Sequence, residues 1–293
     1  MALSIFTNSA SMTSTNAMNK ATGSLNIAMQ RLGTGKRINS AADDAAGLQI
    51  ASRLQAQSNG MGVAKQNISK ATAMLQTAEG AFDEVNNILY RMKDLATQAA
   101  DDTNNADDRD AIAAEFGELN AELENIMSNT SYGTEKLLGS IGAASASGAS
   151  GTGEVGKLGK EMQFQIGAGS SEVLKLDLSG GLKEVTGGLA ALLNADLSSA
   201  SGANIAIDTI STAMQAVGGI RSSLGANINR LGHTAANLAN MQDNTNLNLG
   251  VIRDADFAAE ATTMTRNQML TQSSQAMLKQ ANGMSQMVLG MLG

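Results

Sequence analysis

The sequence predicts a mainly α fold: long antiparallel helices forming a coiled-coil-like rod, with a small β-hairpin region in the middle of the chain. Three observations predict it. The 293 residues include no Pro, so the strongest helix breaker is missing. Only 2% of residues are aromatic against 43% hydrophobic, with 17 Met and no Trp or Cys. That mix of Ala, Leu, Ile and Met suits narrow helix–helix seams better than a wide core. Apolar residues also recur at alternating steps of three and four over most of the chain.

The clearest seam runs Leu75, Ala78, Phe82, Val85, Leu89, Met92, Ala96 and Ala99. After the polar turn ADDTNNADDRD, Ala100 to Asp110, a second seam follows through Ile112, Phe116, Leu119, Leu123 and Ile126. It is expected to stop at SNTSYG, with Gly133 as a left-handed helix end. Residues 139–160 are rich in Gly, Ser and Ala and read as a flexible exposed loop. MQFQIG and EVLKLDL then alternate apolar and polar residues around GAGSS, the signature of a hairpin.

Helix returns near Ala203. Ile207, Ile210, Met214, Val217, Leu224, Ile228, Leu231, Ala235, Leu238, Leu249 and Ile252 keep one register, weakened by Arg221, Gln242 and Thr245. The two chain ends carry matching stripes: Met18, Thr22, Leu25, Met29 and Leu32 at the start, and Leu270, Ser274, Met277, Ala281, Met284, Val288 and Met291 at the end. A single amphipathic helix has nowhere to bury its stripe, so first is expected to pair with last and second with second-last.

Energetics make the terminal pair the informative one. A buried Leu or Met contributes about 1.5–3 kcal/mol, and ordering a residue's backbone costs roughly 1–2 kcal/mol. With Thr22, Ser274 and Ala281 on the seam, two such helices are marginal alone and order where neighbouring copies cover their other faces. That points to polymerisation coupled to folding, with Met18, Leu25, Met29, Leu32, Leu270, Met277, Met284 and Val288 as polymerisation seams.

Between the first two helices lies QRLGTGKRINSAADDAAGLQIA, Gln30 to Ala51. Gly33 and Gly35 each cost a helix about 1 kcal/mol and are expected to end it near Leu32. Lys36 to Ser40 is then an irregular connector. Ser40 with Asp43 fits a capping-box-like start, and Asp43 and Asp44 place negative charge at a helix N-terminus. Gly33, Gly35, Asn39, Asp43 and Asp44 thus mark an inter-domain joint.

The net charge of −7 and pI near 4.8 disfavour nucleic acid as a partner. No stretch of about 18 continuous apolar residues suits a membrane span, and the N-terminus lacks the basic and apolar regions of a cleavable secretory signal. Nothing suggests catalysis or a cofactor. The pair Asp43 and Asp44 reads as a helix cap rather than an acid–base or cation site, and Asp254 and Asp256 in IRDADF as a solvated helix start. His233, the sole His, has neither a nucleophile nor zinc-ligand spacing around it.

QRLGTGKRINSAADDAAGLQIA, Gln30 to Ala51, resembles the N-terminal region of bacterial flagellins. IRDADFAAE, TRNQML and QAMLKQAN resemble their C-terminal region, and YRMKDLATQAA and SNTSYGTEKLL also fit. The match spans roughly residues 1–140 and 203–293 in the right order, and the short stretch between implies a short form without large outer domains. The resemblance implies a non-enzymatic, self-polymerising subunit of the extracellular flagellar filament, used for swimming motility. It further implies export of the unfolded subunit through the flagellar type III apparatus, and as partners the chain itself, the export apparatus, an export chaperone, and the filament cap and hook-junction proteins.

It also implies an inner-tube helix and joint at 1–42, outer-tube helices at 43–140 and 203–251, a variable loop and hairpin at 141–202, and a C-terminal inner-tube helix at 252–293. Host flagellin receptors are further expected partners. A plant receptor kinase reads the segment matching Gln30 to Ala51. The vertebrate Toll-like receptor reads positions matching Arg91, Leu95, Gln98 and Glu115, with Arg91 and Leu95 expected on one helix face. Two departures stand out: ANGMSQMVLG lacks the Pro common there in the family, and the terminal seams are Met-rich where Leu is usual, which softens packing. A hook–filament junction protein and a non-polymerising secreted coiled coil are the alternatives. The H-E-x-x-H protease insertion of some flagellins is missing from the sequence.

Overall fold

The structure is a computed structural model that describes residues 8–141 and 156–292. Most of the Gly/Ser/Ala-rich stretch, at 142–155, lies outside the described residues. Six α-helices account for most of the described chain: α1 (Ser9–Thr34), α2 (Ala45–Ala99), α3 (Ala106–Asn129), α4 (Ser179–Leu192), α5 (Ala200–Arg253) and α6 (Phe257–Leu292). Two antiparallel strand pairs interrupt them, β1 (Ser131–Tyr132) with β2 (Glu135–Lys136), and β3 (Met162–Gln165) with β4 (Val173–Leu176). Helices α2 and α5 run 55 and 54 residues, lengths that a Pro-free sequence permits. No helix among the described residues is long and apolar enough to cross a membrane.

The chain divides into two compact units, one formed by Met1–Ser58 with Asp243–Gly293 and the other by Asn59–Gln242. The second unit holds the apolar core. Every member of the Leu75-to-Ala99 seam is buried there, including Phe82, Val85, Leu89 and Met92. Facing it from α5 are Ile210, Val217, Leu224 and Leu231. Arg221, which breaks the α5 seam, is accommodated by α2: its Nη2 lies 3.0 Å from Glu79 Oε1 and 2.8 Å from Asp83 Oδ1. The Glu79 hydrogen bond, above all, raises the guanidinium pKa further. Helix α3 starts with a full capping box, Asn105 and Asp108 each accepting the other's backbone N–H. Arg109 then donates from Nε to the Ala99 carbonyl and from Nη2 to that of Asp101, closing the end of α2.

The predicted hairpin is present, with Met162 opposite Leu176 and Phe164 opposite Leu174. Two expectations are corrected here. The stretch 141–202 was expected to hold only a loop and a hairpin, yet α4 lies within it. Its sequence SGGLKEVTGGLAAL carries two Gly pairs, and Leu182, Val185, Leu189 and Leu192 line one buried face. A Cβ at Gly181 would sit 2.9 Å from Ile220 Cγ1, and one at Gly188 would sit 3.3 Å from Ala213. Close approach of α4 to α5 is what these glycines permit. Gly133 does adopt a positive φ of 67°, but in the tight turn between β1 and β2. Helix α3 has already ended, with Thr130 in an extended conformation as its C-cap.

Candidate assembly surface

The unit containing both chain ends is built differently. Helix α1 packs antiparallel on α6. Asn8 Nδ2 donates to the Ala281 carbonyl at 3.0 Å at one end, and Arg31 Nη1 contacts Glu260 Oε1 at 2.8 Å at the other. Between them the seam is small and polar. Among the described residues of this unit the buried apolar side chains are Ala21, Ala28, Ile38 and Ala51, and the buried polar ones are Ser58, Thr245 and Asn267. Of the apolar four only Ile38 is larger than Ala, so the unit has almost no hydrophobic core of its own.

Many of its large apolar residues face outward. Met12, Ile27, Met29, Phe257, Met269, Leu270, Met277, Met284 and Met287 are all exposed, Met277 to 62% and Met287 to 64%. The predicted seam is therefore corrected at Thr22, Met29, Leu270, Met277 and Met284, which are exposed, while Met18, Leu25, Leu32, Ser274 and Ala281 lie on the less exposed faces. Met18, Leu25 and Leu32 are half-buried, but Met29 is exposed and Ala21 and Ala28 take the buried places. On α6 the face with least exposure passes through Glu260, Met264, Asn267, Thr271, Ser274, Leu278 and Ala281, leaving Leu270, Met277 and Met284 in the open. Val288's side chain lies outside the described residues. The physical reason is that three–four steps fit either register, and hydrophobicity alone picked the larger neighbour. Small side chains let the two backbones approach, and that set the pairing.

Connectors between the helices touch within this unit. Gly35, with φ of 70°, is the left-handed C-cap of α1. Gly33, expected to end the helix, is inside it, since α1 continues to Thr34. Lys36 forms an antiparallel bridge with Asp254. The Ala255 amide donates to the Gly35 carbonyl at 3.0 Å, and the Arg37 amide to the Arg253 carbonyl at 2.7 Å. Arg37 Nη2 adds a bond to the Ile252 carbonyl at 2.8 Å. The two connectors are thus stitched by main-chain bonds, so the bend after α1 and the bend before α6 are held as one element. Asn39 Nδ2 donates to the Lys36 carbonyl at 2.9 Å and tightens the loop.

The two aspartates divide the work. Asp43 Oδ2 accepts from the amides of Ser40 and Asn39, at 2.8 and 3.1 Å, and closes a turn. Those bonds, Ser40's first, hold its carboxyl below the ordinary value of 3.8. The stability it contributes is complete above that value and is lost as pH falls through the depressed one. Asp44 Oδ1 accepts from the Gly47 amide at 2.8 Å and caps α2. The expected Ser40–Asp43 capping box is therefore a turn ahead of the helix, and Asp44 is the cap. Asp256 does the same for α6, its Oδ1 accepting from the Ala258 and Ala259 amides. Asp44→Ala is expected to speed amide exchange over residues 45–50 about fivefold, the equivalent of a cap worth about 1 kcal/mol. Unchanged exchange there would refute the cap.

Ile38 and Gly47 were missed by the sequence reading. A Cβ at Gly47 would collide with the Asp44 carboxylate and come within 2.7 Å of Ile38 Cδ1. The glycine inside AADDAAGLQIA, at a helix start, was the available signal. In the other unit, Arg91 and Glu115 are exposed and joined by a 2.6 Å contact from Nη2 to Oε1, and Gln98 is exposed. Leu95 is 2% exposed, which overturns the expectation that one face presents it beside Arg91. Four residues advance a helix by about 400°, enough to turn Leu95 into the core beside Met92 and Ala96.

Comparison with known proteins agrees with this layout. The model of the bacterial flagellin N-terminal helical region matches residues 5–143, and that of the bacterial flagellin C-terminal helical region matches residues 207–292. A flagellin of Halalkalibacterium halodurans is 41% identical over 265 residues, 90% of each chain. Flagellin A of Vibrio anguillarum is 33% identical over the full length of both chains, in an alignment of 379 positions that exceeds this chain's 293. The relative's extra positions fit the expectation of a short form.

Among solved structures, Bacillus cereus flagellin aligns over 59% of this chain and 88% of its own, with a TM-score of 0.47 at 28% identity. A putative flagellar hook-associated protein from Vibrio parahaemolyticus aligns over 72% of this chain and 99% of its own, with a TM-score of 0.55 at 14% identity, a likeness of fold. Two matched regions at opposite ends of the chain, in order and joined by a full-length relationship, make this chain a member of the bacterial flagellins, the non-enzymatic structural proteins that build the extracellular flagellar filament.

Proposed function

We propose that this chain polymerises by covering the outer faces of α1 and α6 with neighbouring copies, so that its terminal helices order fully only in the filament. The observation that carries the reading is the contrast between units: a continuous apolar core in residues 59–242, and small or polar packing beneath exposed Met and Leu at the chain ends. Gly35, Asn39, Asp43 and Asp44, with the Lys36–Asp254 bridge, act as the joint between the inner-tube and outer-tube regions. Marginal terminal helices also suit export in an unfolded state through the flagellar type III apparatus, with a chaperone shielding the apolar ends until the cap and hook-junction proteins receive them. Arg91, Gln98 and Glu115 are accessible for a Toll-like host receptor, and the exposed residues of Gln30 to Ala51, Ile38 and Ala51 excepted, for a plant receptor kinase. Leu95 has no part in that surface.

Seeding purified full-length protein with short fragments of its own filaments tests the assembly reading. Long tubes by electron microscopy are the expected product. A sample that stays a monomer or small coiled-coil oligomer at every concentration would overturn it.

A further inference from the structure

Helix α6 carries a methionine stripe with a chemistry of its own. At about 100° per residue, Met269, Leu270, Met277, Met284 and Met287 fall within an arc of roughly 100°. All five are exposed, the four Met between 48% and 64%. The face turned to α1, through Asn267, Thr271 and Ser274, is centred elsewhere on the helix. Other methionines are sealed: Met61, Met74, Met92 and Met127 are at most 4% exposed. Thioether oxidation follows access to the sulfur. Exposed methionines therefore concentrate on the chain-end helices, with Met12 and Met29 on α1 beside the four of α6 and Met241 the exposed one among the described residues of the other unit, and the α6 four lie on the face that the assembly reading covers.

We propose that Met269, Met277, Met284 and Met287 are an oxidation site of the unassembled subunit, and that their conversion to sulfoxide by a hydroperoxide blocks polymerisation until it is reversed. In the step the thioether sulfur attacks one peroxide oxygen. An S–O bond forms and the O–O bond breaks, so sulfur loses two electrons to the peroxide. With hydrogen peroxide the departing hydroxide takes the proton from the transferred oxygen and leaves as water. The product is a polar, chiral sulfoxide where an apolar contact was needed. The blocking consequence rests on the assembly reading; the site assignment rests on exposure alone. Leu at the same positions would pack comparably and lack this chemistry.

Full-length monomer treated with hydrogen peroxide tests both parts, read by peptide mass spectrometry and by seeded growth. The four α6 methionines are expected to oxidise about tenfold ahead of Met61, Met92 and Met127, in line with their exposure. Seeded growth should fall at least about tenfold and return after treatment with both methionine sulfoxide reductases. A variant with these four and the exposed α1 residues Met12 and Met29 changed to Leu should grow equally with and without peroxide. Oxidation of buried and exposed methionines at one rate would overturn the site. Undiminished growth of subunits oxidised at all four would overturn the block, as would peroxide inhibition of the Leu variant. If untreated protein itself fails to grow from seeds, the assembly reading and the block fall together, and the oxidation map still decides the site.

Discussion

Met277→Asp is expected to abolish seeded filament growth while leaving residues 59–242 folded. Met277 is 62% exposed in the single chain, so the substitution removes little that the chain itself uses. Covered by a neighbouring copy, the same position forfeits about 1.5–3 kcal/mol of apolar burial. It also places a carboxylate in a dry contact, at a cost of several kcal/mol. The penalty recurs in every subunit added, so growth stops rather than slows. Circular dichroism and proteolysis of the monomer should match those of the unaltered protein, while electron microscopy shows no tubes. Normal tubes would mean that this face of α6 is not an assembly contact. Leu32→Asp is expected to have the same outcome by a different route, since Leu32 is half-buried and its loss also loosens α1.

Phe82→Ala is expected to have the largest effect on the folding of the subunit itself, lowering the stability of the 59–242 unit by about 3–5 kcal/mol. Phe82 is 1% exposed and sits mid-seam in α2, among the largest fully buried side chains. Few aromatic residues are available to refill the space: the chain has five Phe, two Tyr and no Trp. Denaturant melts of the monomer should show the midpoint fall with an unchanged slope. A loss below about 1 kcal/mol would show that the core collapses around the deletion, as an adaptable Met- and Ala-rich packing permits.

Legibility of the sequence followed side-chain size. Along Leu75 to Ala99 a large residue marks nearly every inward position, so periodicity fixed the register and each predicted residue is buried. Along α1 and α6 the inward faces mix Met18, Leu25, Leu32 and Leu278 with small or polar Ala21, Ala28, Asn267, Thr271 and Ser274. Where the inward residue was small or polar, reading by hydrophobicity selected Met29, Leu270 or an outward neighbour instead. The error is instructive, because it named the residues left without cover in the single chain. Glycine misled twice: Gly133 signalled a helix end but forms a turn, and Gly33 was expected to end α1 but lies inside it. The cap at Asp44 and the Lys36–Asp254 bridge depend on residues distant in sequence or on one oxygen's placement, and no periodicity encodes either.

Amide hydrogen exchange, compared between free subunit and filament, measures most directly whether the chain ends depend on neighbours. In the free subunit, α1 and α6 should exchange quickly while the seam from Leu75 to Ala99 stays protected. In the filament both helices should slow by at least about a hundredfold, the mark of ordering supplied by neighbouring copies. Equal protection of α1 and α6 in both states would contradict the account.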